Sequence, residues 1–335
     1  MKYVTLGKTG LKISRLGFGG IPIQRIDAKG TKELFLYMKE VGINYIDTAR
    51  GYTVSEEYIG EAMEGMREDF ILATKSMART YEAMKADIEK SLHNLRTDYI
   101  DLYQVHNPSA DQLDQVLAPG GALEALLEAK KEGKIGHIGL TAHSAAVALR
   151  ACDLDWVETV MFPFNIVEDQ GAEVLLKCAE KNIGFVAMKP MAGGAIESGR
   201  AALRFITKDP RVTVVIPGVS DLKEIKENLD AVNDETPYSA AEEAEALAIK
   251  NALGTQFCRR CNYCAPCTVG ISIPNVFLFA GYLERYNLEG WARSRYDTLK
   301  VKAGACVGCG ACEERCPYHL PIREMLKKAA KEFGE

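Results

Sequence analysis

Eight short β-rich runs alternate with amphipathic stretches through about the first 230 of the 335 residues, and that alternation leaves few architectures open. The runs are Arg15–Gly20, Ile43–Ala49, Phe70–Lys75, Tyr99–His106, Ile135–Ala142, Val157–Asn165, Gly184–Pro190 and Val212–Val219. Between them apolar residues recur at helical spacing. The clearest case is Tyr81–Leu95, where Met84, Ile88, Leu92 and Leu95 share one face. Strands separated by helices pair in parallel through crossover connections. Eight such units in about 250 residues predict an α/β protein built on a (β/α)8 TIM barrel. A doubly wound open sheet is the competing architecture. Gly17-Phe18-Gly19-Gly20 lacks the third-glycine spacing of its dinucleotide turn. The opening segment, Lys2–Ser14, carries Gly7 and Gly10 between short alternating runs and reads as a hairpin ahead of the first barrel strand.

A barrel of this kind places its chemistry at the C-terminal ends of its strands. Read in order, those ends present Asp47 after the second run, Tyr52 just beyond it, Lys75 closing the third and His106 closing the fourth. Any one of them has a structural explanation: a cap, a surface charge, a packed imidazole. Four titratable residues at three successive strand ends point to a site.

The chain resembles the aldo-keto reductases. The resemblance is carried by Tyr3–Gly10 (YVTLGKTG), Asp47-Thr48-Ala49, Tyr52, Ser55-Glu56, Gly60, Ala73-Thr74-Lys75, Tyr99–Tyr103 (YIDLY), His106, Gly133-Lys134-Ile135, Asn165 and Ile216-Pro217-Gly218. It implies that Asp47, Tyr52, Lys75 and His106 form the family's catalytic tetrad and that the substrate is a small carbonyl compound or alcohol, reduced by hydride at carbon while a proton reaches the developing alkoxide. In those implied roles a phenol of pKa about 10 needs tuning; a neighbouring ammonium is expected to lower it, with Asp47 holding Lys75 and His106 orienting the carbonyl or sharing the proton transfer. The resemblance also implies a nicotinamide dinucleotide, held by Gly19, Thr141, Asn165, Lys189, Pro217, Gly218, Ser220, Asp221 and Asn228. Several of that family's cofactor positions are altered. The usual Ser-Asn is Thr141-Ala142, the usual Gln is Met161, and the ring that stacks on nicotinamide is replaced by Met188. Asp221 stands where an Arg meets the 2′-phosphate of NADPH, which suits a ribose hydroxyl and NADH better. NADPH, NADH and a flavin all remain open. Lys189 is a candidate replacement cation. Substrate choice is expected from the barrel-mouth loops Ile21–Arg25, Arg50, Met77–Thr80 and Asn107–Ala118.

Eight of the ten cysteines fall in two runs near the C-terminus: Cys258-x-x-Cys261-x-x-Cys264-x-x-Cys267 and Cys306-x-x-Cys309-x-x-Cys312-x-x-x-Cys316-Pro317. The second is the spacing of bacterial four-iron ferredoxins. In two-cluster ferredoxins the fourth cysteine of each run serves the other cluster. By that analogy Cys258, Cys261, Cys264 and Cys316 hold one [4Fe-4S] cluster, and Cys306, Cys309, Cys312 and Cys267 hold the other. The first run is compressed and ends in Thr268 rather than proline. Structural zinc is the competing reading, but four closely spaced cysteines per run, rather than two separated pairs, favour a cubane. Asn275–Tyr286, Leu288–Leu299 and Ile322–Phe333 read as helices, an α-helical ferredoxin-like arrangement. The expected organisation is a barrel over residues 1–238, a connecting helix over 239–254 and an iron–sulfur domain over 255–335.

The remaining composition narrows the setting. The N-terminus shows no apolar signal core, and the longest apolar stretch, Val276–Leu283, is too short to cross a bilayer, so a cytoplasmic protein is expected. Residues 246–335 carry 13 Lys+Arg against 8 Asp+Glu, in a chain of net charge −5. Anionic clusters would offset that basic excess, and no nucleic-acid motif accompanies it. Three readings of the whole follow. The clusters exchange electrons between the barrel site and a ferredoxin or flavoprotein partner; or they are structural or oxygen-sensing appendages of an ordinary carbonyl reductase; or the barrel is a relic in an electron-transfer subunit.

Overall fold

The computed structural model describes all 335 residues. An antiparallel hairpin, β1 (Tyr3–Thr5) and β2 (Lys12–Ser14), comes first. Eight parallel strands follow: β3 (Phe18–Gly19), β4 (Tyr45–Asp47), β5 (Ile71–Ser76), β6 (Ile100–His106), β7 (Ile135–Thr141), β8 (Thr159–Pro163), β9 (Gly184–Met188) and β10 (Val214–Ile216). Each neighbours the next, and main-chain bonds from Gly17 and Gly19 to the carbonyls of Val215 and Pro217 close the cylinder, both at 2.9 Å. The seam needs glycine. A Cβ on Gly19 would stand 2.9 Å from the Pro217 oxygen. Every expected strand is present, trimmed at its ends where the chain turns into a loop, except that β5 runs past Lys75 to Ser76.

The outer ring comprises α1 (Ala28–Val41), α2 (Ser55–Ala62), α3 (Tyr81–Asn94), α4 (Ala110–Leu117), α5 (Ala122–Lys131), α6 (Ala145–Ala151), α7 (Ala172–Glu180), α8 (Gly199–Thr207) and α9 (Leu222–Asn233). Their apolar faces pack on the strands around Phe18, Phe35, Phe70 and Tyr103. Side chains capable of capping start several of them. Asp27 accepts from Gly30 at the head of α1, and Ser109 with Gln112 makes a capping box on α4. The two cysteines outside the runs, Cys152 and Cys178, are buried between α6 and α7. Inside the cylinder, Leu6 and Ile13 of the hairpin segment pack with Tyr45, Leu102 and Val186 and plug the N-terminal end. Only the C-terminal mouth is left for chemistry.

The connecting helix α10 (Ala240–Leu253) begins at a Ser239–Glu242 capping box. It is fastened to the barrel wall: Arg204 of α8 donates to Glu242 at 2.7 Å and to the carbonyls of Asp234 and Thr236. Beyond it, α11 (Ile273–Glu284), α12 (Glu289–Asp297), α13 (Ala311–Glu314) and α14 (Ile322–Phe333) enclose a second core that includes Cys264, Cys312 and Cys316. This helical unit folds back over the barrel mouth. Arg259 donates to the Val167 carbonyl at 2.8 Å, Arg285 donates to the Gly193 carbonyl at 2.9 Å, and Arg260 pairs with the fully buried Glu168. No helix is long and apolar enough to cross a membrane.

Candidate active site

At the mouth, Lys75 reaches from the end of β5 to the Asp47 carboxylate on β4 and to the Thr48 carbonyl at 2.6 Å. Gln104 of β6 supplies the second donor to Asp47, at 3.2 Å. The pair is enclosed, with Lys75 1% and Asp47 3% exposed. Tyr52 follows a tight turn, its N–H bonded to the Ala49 carbonyl at 3.0 Å, with the next residue, Thr53, at φ 43°. That turn is pinned from below by Ser55, which donates to the Gly20 carbonyl, and by the buried Glu56, which takes hydrogen bonds from Thr74, Ser91 and Arg50. The Tyr52 ring lies 4.9 Å from the Lys75 nitrogen and meets the His106 ring edge-on at 6.0 Å. The four residues picked out at the strand ends therefore surround one cavity.

The electrostatics differ from expectation in one respect. Burial, and then the Asp47 charge, push the Tyr52 phenol well above its ordinary range rather than below it. The reason is that Lys75 is already neutralised by Asp47, and desolvation opposes any charged form of the ring. Burial likewise lowers Lys75 and raises Asp47, each partner partly restoring the other. Burial, reinforced by the charges of Lys75, Arg79, Arg295 and Lys189, holds His106 well below the ordinary imidazole range. Tyr52 is a protonated phenol and His106 a neutral imidazole at neutral pH.

The cavity has a volume of about 140 Å³, and its roof comes from the cysteine-rich segment. Trp291 of α12 packs edge-on against Tyr52 at 6.1 Å and stacks on Tyr282 of α11 at 4.3 Å. Phe279, Tyr286 and Arg295 complete the cover. The barrel contributes Ile21, Pro22, Met77 and Asn107 from the expected specificity loops. Arg50 is instead committed to its ion pair with Glu56. His143, two residues beyond β7, also faces the cavity, and both its ring nitrogens are buried without a partner. Nothing in periodicity singles it out; its nearness to a strand end is the one signal it offers.

The cofactor-side residues divide. Gly19, Thr141, Lys189 and Gly218 line the cavity, with Met161 and Met188. A second space of about 300 Å³ adjoins it, sharing Pro22, Lys189, Gly218 and Tyr286, and Asn228 lines that one. Pro217, Ser220 and Asp221 line neither. The Ser220 N–H and hydroxyl are taken by Glu224, and Asp221 caps α9 by accepting from the Glu224 N–H at 2.8 Å. Asn165 is also withdrawn. Its amide donates to Glu168 and to the Lys189 carbonyl, and its oxygen accepts from Val167 and Glu168, so no group is left for a ligand.

The two cysteine runs interleave. Cys267, Cys306, Cys309 and Cys312 line one small cavity with Ile273 and Leu326. Burial, and then neighbouring thiol charges, raise Cys258, Cys261 and Cys264, and Cys316 is among the charges acting on Cys258 and Cys261. No three thiols meet at one point as ligands of a single ion would. Soft sulfur donors in an apolar pocket suit an iron–sulfur core.

Residues 15–201 match the model of the aldo/keto reductase family. The chain belongs to the aldo/keto reductase family. Residues 257–321 match the model of the 4Fe-4S dicluster domain, so this aldo/keto reductase is an oxidoreductase with an iron–sulfur domain attached. It is 28% identical over 287 residues to the uncharacterized oxidoreductase YqkF of Bacillus subtilis, covering 70% of this chain and 92% of that one. It is 25% identical over 284 residues to the L-galactose dehydrogenase of Arabidopsis thaliana, 68% of this chain and 87% of the relative. Among solved structures, the holo form of aldo-keto reductase AKR11C1 from Bacillus halodurans superposes with a TM-score of 0.65 at 26% identity. That match spans 74% of this aldo/keto reductase and 96% of the other, leaving about a quarter of this chain without a counterpart there.

Proposed function

We propose that this aldo/keto reductase interconverts a small carbonyl compound and its alcohol beneath the aromatic roof, and that its iron–sulfur domain exchanges electrons with that site. The observation that supports the reading is the enclosure of the Tyr52 phenol between the Asp47–Lys75 pair, His106 and Trp291. Tyr52 would give its proton to the oxygen of the reduced carbonyl. Burial keeps that proton in place at neutral pH, and the Lys75 ammonium, held by Asp47, lies beside the ring on which charge would be left when the proton moves. Neutral His106 would orient the carbonyl oxygen by a hydrogen bond without adding charge. The roof excludes water, which strengthens each of these interactions.

The two joined spaces suit a nicotinamide dinucleotide, which when bound supplies hydride. Thr141 and Gly19 would flank its ring, Arg25, Lys189 and Arg285 its diphosphate, and Glu224, Glu227 and Asn228 its far ribose. Carboxylates there favour NADH over NADPH. Two [4Fe-4S] clusters, one per set of four cysteines, would move single electrons. Leu278 lines both the substrate cavity and a space lined by Cys258, so one cysteine of the first set borders a space that adjoins the site. In the second set, exposed Cys309 beside Val307 offers an edge to a ferredoxin or flavoprotein partner. A reducing, cytoplasmic setting suits eight cluster cysteines and two further cysteines, Cys152 and Cys178, with no disulfide among the ten.

Tyr52→Phe should abolish aldehyde reduction by NADH while cluster absorbance and circular dichroism are unchanged. Near-normal turnover would remove Tyr52 from its role. Dithionite-reduced protein, given an aldehyde and no nicotinamide, should form alcohol with two electrons and two protons consumed per carbonyl. Failure there, with NADH turnover intact, would favour a second reading suggested by the roof itself, in which the clusters only hold α11 and α12 in place.

A further inference from the structure

We infer that the substrate carries a carboxylate, held by Arg295 of the iron–sulfur domain across the cavity from Tyr52. The inference rests on the carbonyl-reductase reading of the same cavity and adds its substrate class. Among the cavity's side chains Asp47 is the single carboxylate, and its oxygens are taken by Lys75 and Gln104. Against it stand three basic side chains: Lys75, Lys189 and Arg295. Lys75 is paired. Lys189 sits at the junction with the second space, where a dinucleotide's diphosphate would pass. Arg295 is left over. Its guanidinium forms no ion pair and donates no hydrogen bond within the protein; its nearest aromatic partner is the Phe279 face at 5.6 Å.

That is unlike the chain's other enclosed arginines. Arg260 has Glu168, Arg204 has Glu242, and Arg259 donates to the carbonyls of Val167, Gly254 and Phe257. A guanidinium with five donors facing a half-enclosed cavity calls for an anion, and a carboxylate matches its fork. His143 gives an independent sign of a ligand. Its two ring nitrogens, buried and unpartnered, open on the same cavity. The neutral ring can donate from one nitrogen and accept at the other.

Geometry sets the size of the molecule. Trp291 and Arg295 are four apart on α12 and so share a face. Trp291 packs on Tyr52, and Arg295 lines the same cavity with its charge acting on His106, so the guanidinium and the proton donor border one space. A volume of about 140 Å³ is below the roughly 300–1,000 Å³ of pockets for drug-sized ligands. A short oxo acid, or the matching hydroxy acid in reverse, fits both limits.

Calorimetric titration of the anaerobic, cluster-loaded protein with oxamate, an unreactive isostere of a three-carbon 2-oxo acid, tests this. Wild type and Tyr52→Phe should bind it, Arg295→Met should bind roughly tenfold more weakly or worse, and Arg295→Lys should fall between. In turnover, the kcat/KM ratio of glyoxylate to glycolaldehyde should fall by a similar factor in Arg295→Met. Equal oxamate affinity in wild type and Arg295→Met, with cluster absorbance intact, overturns the inference, as does no binding by wild type. Arg295-dependent oxamate binding in a protein that reduces no carbonyl would uphold the anion site and sink the carbonyl-reductase reading instead.

Discussion

Replacing Lys75 by methionine separates the two halves of the ion pair beneath Tyr52. Methionine keeps most of the side-chain stem and its packing, but it leaves Asp47, 3% exposed, with Gln104 as its single side-chain partner. Removing one member of a buried pair costs about 3–5 kcal/mol. Burial already pushes the Asp47 carboxyl above its usual range, and Lys75 is the chief influence opposing that rise. Without Lys75 the pKa climbs further. A carboxyl raised in the native state binds its proton at a pH where the unfolded chain does not, so stability falls as pH rises through that interval. The loss in Lys75→Met should be largest at about pH 8 and shrink towards about pH 5. Asp47→Asn is the mirror case. Burial lowers the Lys75 ammonium and Asp47 is the first influence opposing it, so the orphaned lysine sheds its proton and stability recovers as pH rises. The double variant removes both charges and should regain most of what either single variant loses. Urea unfolding followed by circular dichroism, run anaerobically across that pH range and referred to wild type at each pH, reads all three. Parallel pH dependence in the two single variants, or a double variant no better than either, would refute the buried-pair account.

Cys316→Ser should abolish the paramagnetic signal that Cys258→Ser abolishes, and Cys267→Ser the one that Cys306→Ser abolishes, each with about half the iron lost; the opposite pairing would show that each run holds its own cluster. Burial keeps His106 and His143 well below the ordinary imidazole range, and an imidazole depressed in the native state costs stability as pH falls below the unfolded value of about 6.5. The melting temperature should therefore drop on the acid side, less steeply in His143→Phe, and an identical slope in that variant would count against a buried neutral His143.

The barrel was legible because each strand carries its own apolar signature, and the meeting of Asp47, Tyr52, Lys75 and His106 at one cavity because strand ends in such a barrel all face one mouth. Asp47, Lys75 and His106 needed only their position in the alternation. What could not be read from the residues one by one was competition for the same groups. Asn165 is spent on Glu168 and Lys189, Asp221 on capping α9, and the Ser220 N–H on Glu224, which depends on loops closing in three dimensions. The direction of the Tyr52 shift has a similar cause. The ammonium expected to lower it is neutralised by Asp47, and burial decides the sign. Arg295 and Trp291 belonged to a helix recognised from its spacing. That the helix lands on the barrel mouth follows from contacts such as Arg260 with Glu168, which lie 92 residues apart.

The position of that helix in the chain bears on what the iron does. Both roof helices, α11 and α12, lie between Cys267 and Cys306. If those two cysteines ligate one cluster, as the cavity they share suggests, the cluster closes the loop that carries Trp291, Tyr282 and Arg295. Closing a loop through a metal centre removes conformational freedom from the open state, and the binding energy of the centre becomes folding energy of the loop. Iron would then be required twice: once to carry electrons, and once to hold the cover that dries Tyr52 and presents a guanidinium to the substrate. On this arrangement an electron-transfer role and a structural role are not rival explanations. Removing the iron should cost oxamate binding along with turnover, whereas a chelated protein that still bound oxamate at wild-type strength would mean that the roof stands without its clusters.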